Sequence, residues 1–169
     1  MDRLMRALTA WFSIVVIAMA VCGSVALAQT NKACGLVTDA EIQSVLGSKV
    51  TMKAGSLATA QTCSGEAPTA RVLVRLFTRT GDPSGKTEQA GIDALRKMGA
   101  QVEVQSAAGI GCMTATPPAS MATMGFNTTC SVTAKSPTIA VIEITAKSQK
   151  DMVPMQKLRA VAEKMATRF

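Results

Sequence analysis

The sequence contains no histidine and no tyrosine, and its single tryptophan is Trp11. After residue 28 the aromatic residues are only Phe77, Phe126 and Phe169. Without histidine, no imidazole can activate a serine or cysteine nucleophile or bind a metal ion. Three phenylalanines are too few for a surface that stacks sugars or unpaired bases. These absences argue against histidine-dependent catalysis and against nucleic-acid binding.

Carboxylates are the remaining candidates for acid–base chemistry, but no spacing brings two of them into a recognisable pair. Glu143 stands out because it lies in an apolar strand, although on the face that we expect to be the outer one. The sequence therefore favours a protein that is not an enzyme and that needs no cofactor. A carboxylate-dependent enzyme of the cell envelope is kept as an alternative. The other candidate carboxylates are Asp39, Glu66, Asp82, Glu88, Asp93, Glu103, Asp151 and Glu163.

Residues 1–28 have the three parts of a secretory signal peptide. Arg3 and Arg6 form a short basic region, residues 11–21 form an apolar run, and residues 26–28 read Ala-Leu-Ala. This pattern predicts cleavage before Gln29 and an exported protein, either periplasmic or extracellular. The prediction divides the chain into a signal peptide, residues 1–28, and one exported domain, residues 29–169.

Two alternatives for the leader are retained. The span 7–28 is long enough to stay as an uncut membrane anchor. Lipidation at Cys22 is a further alternative, but Val21 stands where bacterial lipoproteins have a small residue. With the leader removed, we expect no stable membrane span.

Cysteine usage supports export independently of the leader. Leaving out Cys22, four cysteines remain, an even number that suits disulfide bonds in an oxidising compartment and allows three pairings. We favour Cys34–Cys63 and Cys112–Cys130, because residues 112–116 and 126–134 read as an antiparallel hairpin centred near residue 121, which places Cys112 opposite Cys130. No Cys-x-x-Cys motif is present, so neither a redox motif nor a zinc site is indicated.

Helices are predicted at three places. Thr38 and Glu41 form a capping box, and Gly47 suits a left-handed C-terminal position, so a short helix should span residues 39–46. Apolar spacing predicts a second helix over residues 86–98, ending at Gly99. A third should run from about residue 151 to 168, with Pro154 in its first turn. Its apolar stripe is Met152, Met155, Leu158, Val161, Ala162 and Met165.

Alternating residues predict strands at 49–53, 69–80, 101–106, 112–116, 126–134 and 138–146. Residues 55–62, 81–85, 109–111 and 136–137 are interpreted as loops or turns from their glycine, serine, threonine and proline content. The predicted fold class is therefore α+β, with one antiparallel sheet of about five to six strands packed by two to three helices and held together by disulfide bonds.

The sequence suggests two ligand sites, each with a structural interpretation beside it. Removing Arg3, Arg6 and Asp2 with the leader leaves 16 basic and 10 acidic residues, a net charge of +6. One face of the strand at 69–80 carries a candidate anion-binding set, Arg71, Arg75 and Arg79. The alternative interpretation is that this is an outer face of the sheet, where the arginine stems cover apolar neighbours.

Methionines offer the second site. Met121 and Met124 form a Met-x-x-Met pair and Met113 is nearby, which could hold Cu(I) through soft thioether sulfurs. Methionine is also a common filler of irregular core space. A copper(I) carrier is therefore kept as an alternative function.

The run from Cys34 to Glu41, followed by Leu46-Gly47, resembles the opening of small exported bacterial domains of unknown function that read Cys-x-Leu-Leu-Thr-x-x-Glu and then Leu-Gly. A cysteine near position 63, Gly-x-Gly at 109–111, a late strand and a terminal amphipathic helix are also similar. Many of those domains are lipoproteins, but Val21 differs from the small residue that precedes the lipidated cysteine in lipoproteins. The resemblance implies helices packed on an antiparallel sheet, similar to the Mog1/PsbP-like fold, and it implies no catalytic residue.

These observations favour an exported, non-enzymatic binding or interaction domain. Its expected partner is another protein of the cell envelope or an anionic ligand, since positively charged exported proteins meet anionic polymers and head groups.

Overall fold

The structure is a computed structural model that describes residues 31–80, 86–135 and 137–169. The predicted signal peptide and the predicted turn at 81–85 lie outside the described residues, as does Ser136 of the predicted turn at 136–137. The helices are α1 (Lys32–Gly35), α2 (Asp39–Leu46), α3 (Lys86–Lys97) and α4 (Met155–Arg168). The strands are β1 (Lys53–Leu57), β2 (Ala60–Glu66), β3 (Ala70–Thr78), β4 (Gln101–Ala107), β5 (Ile110–Thr116), β6 (Phe126–Lys135) and β7 (Thr138–Ala146). Two short 3-10 helices span Ala119–Met124 and Gln149–Asp151.

The seven strands of the described residues form one antiparallel sheet in the order β1-β2-β3-β7-β6-β5-β4. The α+β class with a single antiparallel sheet is confirmed, but the sheet has seven strands rather than five to six. The additional strand arises at residues 53–66, where β1 and β2 form a hairpin around a two-residue turn. The predicted loop at 55–62 is therefore wrong. Because every residue of β1 is exposed at the edge of the sheet, main-chain pairing forms this strand without the apolar alternation that predicts strands.

The predicted strand at residues 49–53 is also wrong in its bounds, since β1 begins only at Lys53. Val50 is buried, and a β-carbon added to Gly65 of β2 would collide with Val50 and Met52. Residues 50–52 therefore cross directly above a glycine of the sheet instead of pairing with a strand. Their apolar alternation marks packing against the sheet, which the sequence pattern does not distinguish from a strand.

The hydrophobic core lies between one face of the sheet and helices α1, α2 and α4. Directly opposed residues form a buried row across five strands of this core face: Cys63, Val74, Ile142, Cys130 and Cys112. Helix α4 contributes five buried residues to it, Met155, Leu158, Val161, Ala162 and Met165. The predicted stripe of this helix is thus confirmed apart from Met152, which precedes the helix.

Helix α4 begins at Met155, four residues later than predicted, and Pro154 is its N-cap rather than part of its first turn. Thr128 of β6 explains the later start. Its hydroxyl is fully buried and donates to the carbonyl oxygen of Val153 at 2.7 Å, which holds the preceding segment against the sheet. Pro154 is tolerated at the start of α4 because proline has no amide hydrogen, and amides at this end of a helix have no partner within the helix.

Helix α2 has the predicted bounds and the predicted caps. The Thr38 hydroxyl accepts from the Glu41 amide at 3.2 Å, and the Glu41 carboxylate accepts from the Thr38 amide at 3.0 Å. Gly47 has a φ of 69°, the left-handed conformation that ends the helix. These signals are local, which is why the sequence predicts them accurately.

Two disulfide bonds join parts of the chain that are distant in sequence. Cys34 of α1 is bonded to Cys63 of β2, and Cys112 of β5 is bonded to Cys130 of β6, which is the pairing favoured from the sequence. Cys112 and Cys130 are directly opposed residues of neighbouring strands, with α-carbons 4.1 Å apart. The Asn31 side chain adds a further tie from the start of α1 to the β1–β2 hairpin, donating to the carbonyl oxygens of Gly55 and Thr62.

Candidate ligand-binding site

The second face of the sheet is only partly covered, and helix α3 is the element that covers it. This helix spans the predicted residues to within one position, with Glu88 in its first turn, Arg96 and Lys97 in its last turn, and Gly99 at a φ of 87° just beyond. The acidic residue lies at the positive N-terminal end of the helix dipole and the basic residues lie at its negative C-terminal end, an arrangement that stabilises the helix. Among the side chains of α3 that the structure describes, only Ile92 is buried, so the helix is attached to the sheet through a small apolar contact.

Between α3 and the sheet lies a cavity of about 250 Å³. Its apolar lining side chains come from β3, α3, β4, β5 and β7: Phe77, Ile92, Val104, Met113, Ile139 and Val141. Its polar lining side chains are Arg79, Glu88, Thr129, Ser131 and Thr133. A cavity of about 150 Å³ is large enough for benzene, so this one has room for roughly ten non-hydrogen atoms.

A more polar groove of about 420 Å³ adjoins the cavity and shares five of its residues, Arg79, Glu88, Gly111, Ser131 and Thr133. The groove runs along the β4–β5 hairpin, whose turn residues Ala108 and Gly109 both have positive φ, as a type I′ turn requires. Together the two concavities form a site that is apolar at one end and polar at the other. This polarity matches an amphipathic small molecule.

Two hydroxyl groups at the polar end already donate their hydrogens to the backbone. Ser131 donates to the Gly111 carbonyl at 3.2 Å, and Thr133 donates to the Gly109 carbonyl at 3.1 Å. Because a hydroxyl oxygen retains its acceptor capacity after donating, these groups can accept hydrogen bonds from a ligand.

Arg79 and Glu88 provide the charges of the site. Arg79 is half-buried just after the end of β3, and Glu88 is exposed in the first turn of α3. Within the described ranges, neither side chain forms an ion pair, with the other or with a third residue. Both charges are therefore available to a bound molecule.

The three arginines predicted as one anion-binding set have three different surroundings. Arg75 forms an ion pair with Glu143 at 3.2 Å on the second sheet face, Arg79 lines the cavity, and Arg71 lies in a separate groove that also contains Lys49 and Lys53. Equal spacing along a strand places the arginines on one face. What each contacts depends on neighbouring strands and on α3, which the strand pattern does not specify.

The candidate copper-binding methionines are also divided. Met121 and Met124 line a small apolar pocket of about 50 Å³ together with Leu95 and Met98, whereas Met113 lines the cavity under α3. Among the described residues, no group of three or more carboxylate or cysteine side chains is arranged to hold a metal ion.

Sequence reasoning missed the cavity because it treated the second face as an outer face. A signal was present in β7, where Ile139 and Val141 point to the face opposite Ala140 and Ile142 and are also buried. A strand that is apolar on both sides indicates a sheet covered on both sides.

Comparison of the chain with protein-family models, with curated proteins and with solved structures finds no match. No helix among the described residues is long and apolar enough to cross a membrane. The fold and the site themselves define a class: a disulfide-bonded α+β domain with one antiparallel sheet and a cavity of small-molecule size under a lightly attached helix.

Proposed function

We propose that this chain is an exported, non-enzymatic binding domain that holds a small amphipathic ligand between helix α3 and the second face of the sheet. The observation that carries this proposal is the cavity itself. A cavity of about 250 Å³ with an apolar end and a charged end is the usual form of a ligand site.

The manner in which α3 is attached supports the proposal. Of the described side chains of α3, Ile92 is buried, Leu95 is half-buried and the others are exposed. Removing apolar surface from water contributes about 25 cal/mol per Å², so a helix with so little buried surface is held weakly. A ligand that fills the cavity would add apolar contacts to the inner side of α3 and stabilise its position.

Occupancy of the cavity can be tested by methyl NMR of the purified protein with isohexanol as a neutral probe. We expect the resonances of Ile92, Met113 and Val141 to shift on titration, while that of Met124, which lines the other pocket, stays unchanged. Replacing Met113 by tryptophan should fill the cavity and remove the shifts.

The matched control is Met124→Trp, which places the same side chain on an exposed methionine outside the cavity. Met113→Trp could destabilise the protein, because a larger side chain costs about 1–3 kcal/mol where space is tight. Val104→Phe is therefore a second cavity-filling variant, since Val104 lies at the exposed rim of the cavity. Shifts confined to the Met121–Met124 region, or binding that survives both cavity-filling variants, would place the ligand elsewhere and refute the proposal.

Export is supported by the leader pattern and by the two disulfide bonds, because such bonds persist mainly in oxidising compartments. Mass spectrometry of the protein produced by an exporting host should find Gln29 at the amino terminus. Alkylation under denaturing, non-reducing conditions should find no free thiol after residue 28. An amino terminus at Met1, an acylated Cys22 or four alkylated cysteines would each contradict this part of the proposal.

A further inference from the structure

We infer that the ligand of this cavity is zwitterionic, with an ammonium group and a carboxylate beside an apolar group, as in a free apolar amino acid. This inference rests on the proposed function, because it names the chemistry of the ligand that the cavity would hold. Its basis is the pair of opposite charges at the polar end of the site.

Arg79 and Glu88 line both the cavity and the adjoining groove, so both charges face the same end of the site. They are not joined to one another in an ion pair. A ligand with only a negative group would interact favourably with Arg79 but would bring like charge near Glu88. A ligand with only a positive group would interact favourably with Glu88 but would bring like charge near Arg79. A zwitterion is complementary to both charges.

The hydroxyl groups at the same end favour an ammonium donor beside Glu88. Ser131 and Thr133 donate to backbone carbonyls and therefore offer their oxygens as acceptors. An ammonium group has three hydrogens to donate, and a carboxylate can accept two parallel hydrogen bonds from the guanidinium of Arg79. The polar end thus has partners for both groups of an amino acid.

The volume of the cavity sets the size of the whole ligand. Room for roughly ten non-hydrogen atoms accommodates the whole of leucine or methionine. Ile92, Met113 and Val141 supply aliphatic walls for such a side chain.

Isothermal titration calorimetry of the purified protein with leucine and three analogues tests the inference. Isocaproate lacks the ammonium group, isopentylamine lacks the carboxylate, and isohexanol carries neither charge. We expect leucine to bind at least about tenfold more tightly than each analogue, since each missing charge leaves one protein group unpaired.

Variants of the two charged residues provide a readout that loss of structure would not give. Arg79→Gln should weaken leucine binding about tenfold and shift the preference towards isopentylamine, while Glu88→Gln should shift it towards isocaproate. Arg71→Gln and Glu66→Gln, which lie in a different groove, serve as matched controls and should leave leucine binding unchanged.

The outcomes separate the two proposals. If isohexanol or isocaproate binds as tightly as leucine, the cavity binds ligands but the zwitterion inference is wrong. If Arg79→Gln and Glu88→Gln change the affinities for all four compounds equally, charge recognition is refuted. If none of the four compounds binds, the proposed function itself fails.

Discussion

Replacing Cys34 and Cys63 together by alanine should lower the free energy of unfolding by about 3–4 kcal/mol. The bond joins residues 29 positions apart, so it restricts a long loop of the unfolded chain. It also fixes the four-residue helix α1, which is too short to be stable alone, against β2 of the core face. The measurement is urea-induced unfolding, followed by circular dichroism, of oxidised wild-type protein and the double variant.

Two comparisons control this result. The Cys112→Ala/Cys130→Ala variant opens a shorter loop of 18 residues and should lose about 3 kcal/mol. Wild-type protein unfolded in the presence of a reductant should become less stable than either double variant, because it loses both bonds. If the Cys34→Ala/Cys63→Ala variant unfolds at the same urea concentration as oxidised wild-type protein, this bond does not contribute to stability.

The parts of the fold that the sequence predicts well are those specified by local chemistry. Thr38, Glu41 and Gly47 determine both ends of α2 because each acts within one helical turn of that end. Strand β7 has the predicted bounds because every second residue from Ala140 to Ala146 is apolar and buried on the core face. The bond between Cys112 and Cys130 could be inferred because an antiparallel hairpin centred near residue 121 places the two cysteines opposite each other.

The parts that were predicted wrongly depend on contacts between distant segments. The turn between β1 and β2 contains Ala58 at a φ of 51°, and alanine is not a residue that marks such a turn. Residues 50–52 pack above Gly65, which lies 13 positions further along the chain than Met52. The start of α4 depends on a hydrogen bond from Thr128. Local patterns carry no information about these partners.

In the candidate site too, the sequence predicts what is local and misses what depends on contacts between distant segments. Arg79 could be identified as an available cation from its strand, but the sequence grouped it with Arg71 and Arg75 on one surface. Its position at a cavity follows from α3 lying over the second face of the sheet. The apolar spacing of α3 predicts a helix with one apolar face, but it does not show which side of the sheet that face covers.

A second stabilising feature joins the end of α4 to the start of α2. Arg168 donates to both carboxylate oxygens of Glu41, at 2.6 and 2.7 Å, and also donates to the Leu36 carbonyl at 3.0 Å. The Lys164 ammonium lies 3.6 Å from the same carboxylate. The hydrogen bonds from Arg168, with a smaller contribution from the Thr38 amide, outweigh the opposing effect of burial and lower the pKa of Glu41 to about 2.

This shift predicts a specific dependence of stability on pH. Glu41 has an ordinary pKa of 4.5, so its folded pKa is depressed and its contribution is fully present above that value. As the pH falls from 4.5 towards 2, the unfolded chain takes up the proton before the folded protein does, and the contribution is lost. Glu41→Gln should therefore lower the free energy of unfolding at neutral pH by about 1–2 kcal/mol, because it replaces the charged bidentate pair with Arg168 by a neutral contact, while the glutamine can still accept from the Thr38 amide.

Urea unfolding of wild-type protein and Glu41→Gln at several pH values measures this contribution directly. The difference between the two proteins should be constant from pH 7 to about pH 5 and should shrink below pH 4.5. Glu163→Gln is the matched control, because Glu163 also pairs with an arginine of α4, at 3.3 Å, but its side chain is 58% exposed. Exposed pairs contribute about 0–1 kcal/mol, so the control should change little at any pH. A difference for Glu41→Gln that stays constant down to pH 2 would show that the carboxylate is not held in its charged form by Arg168.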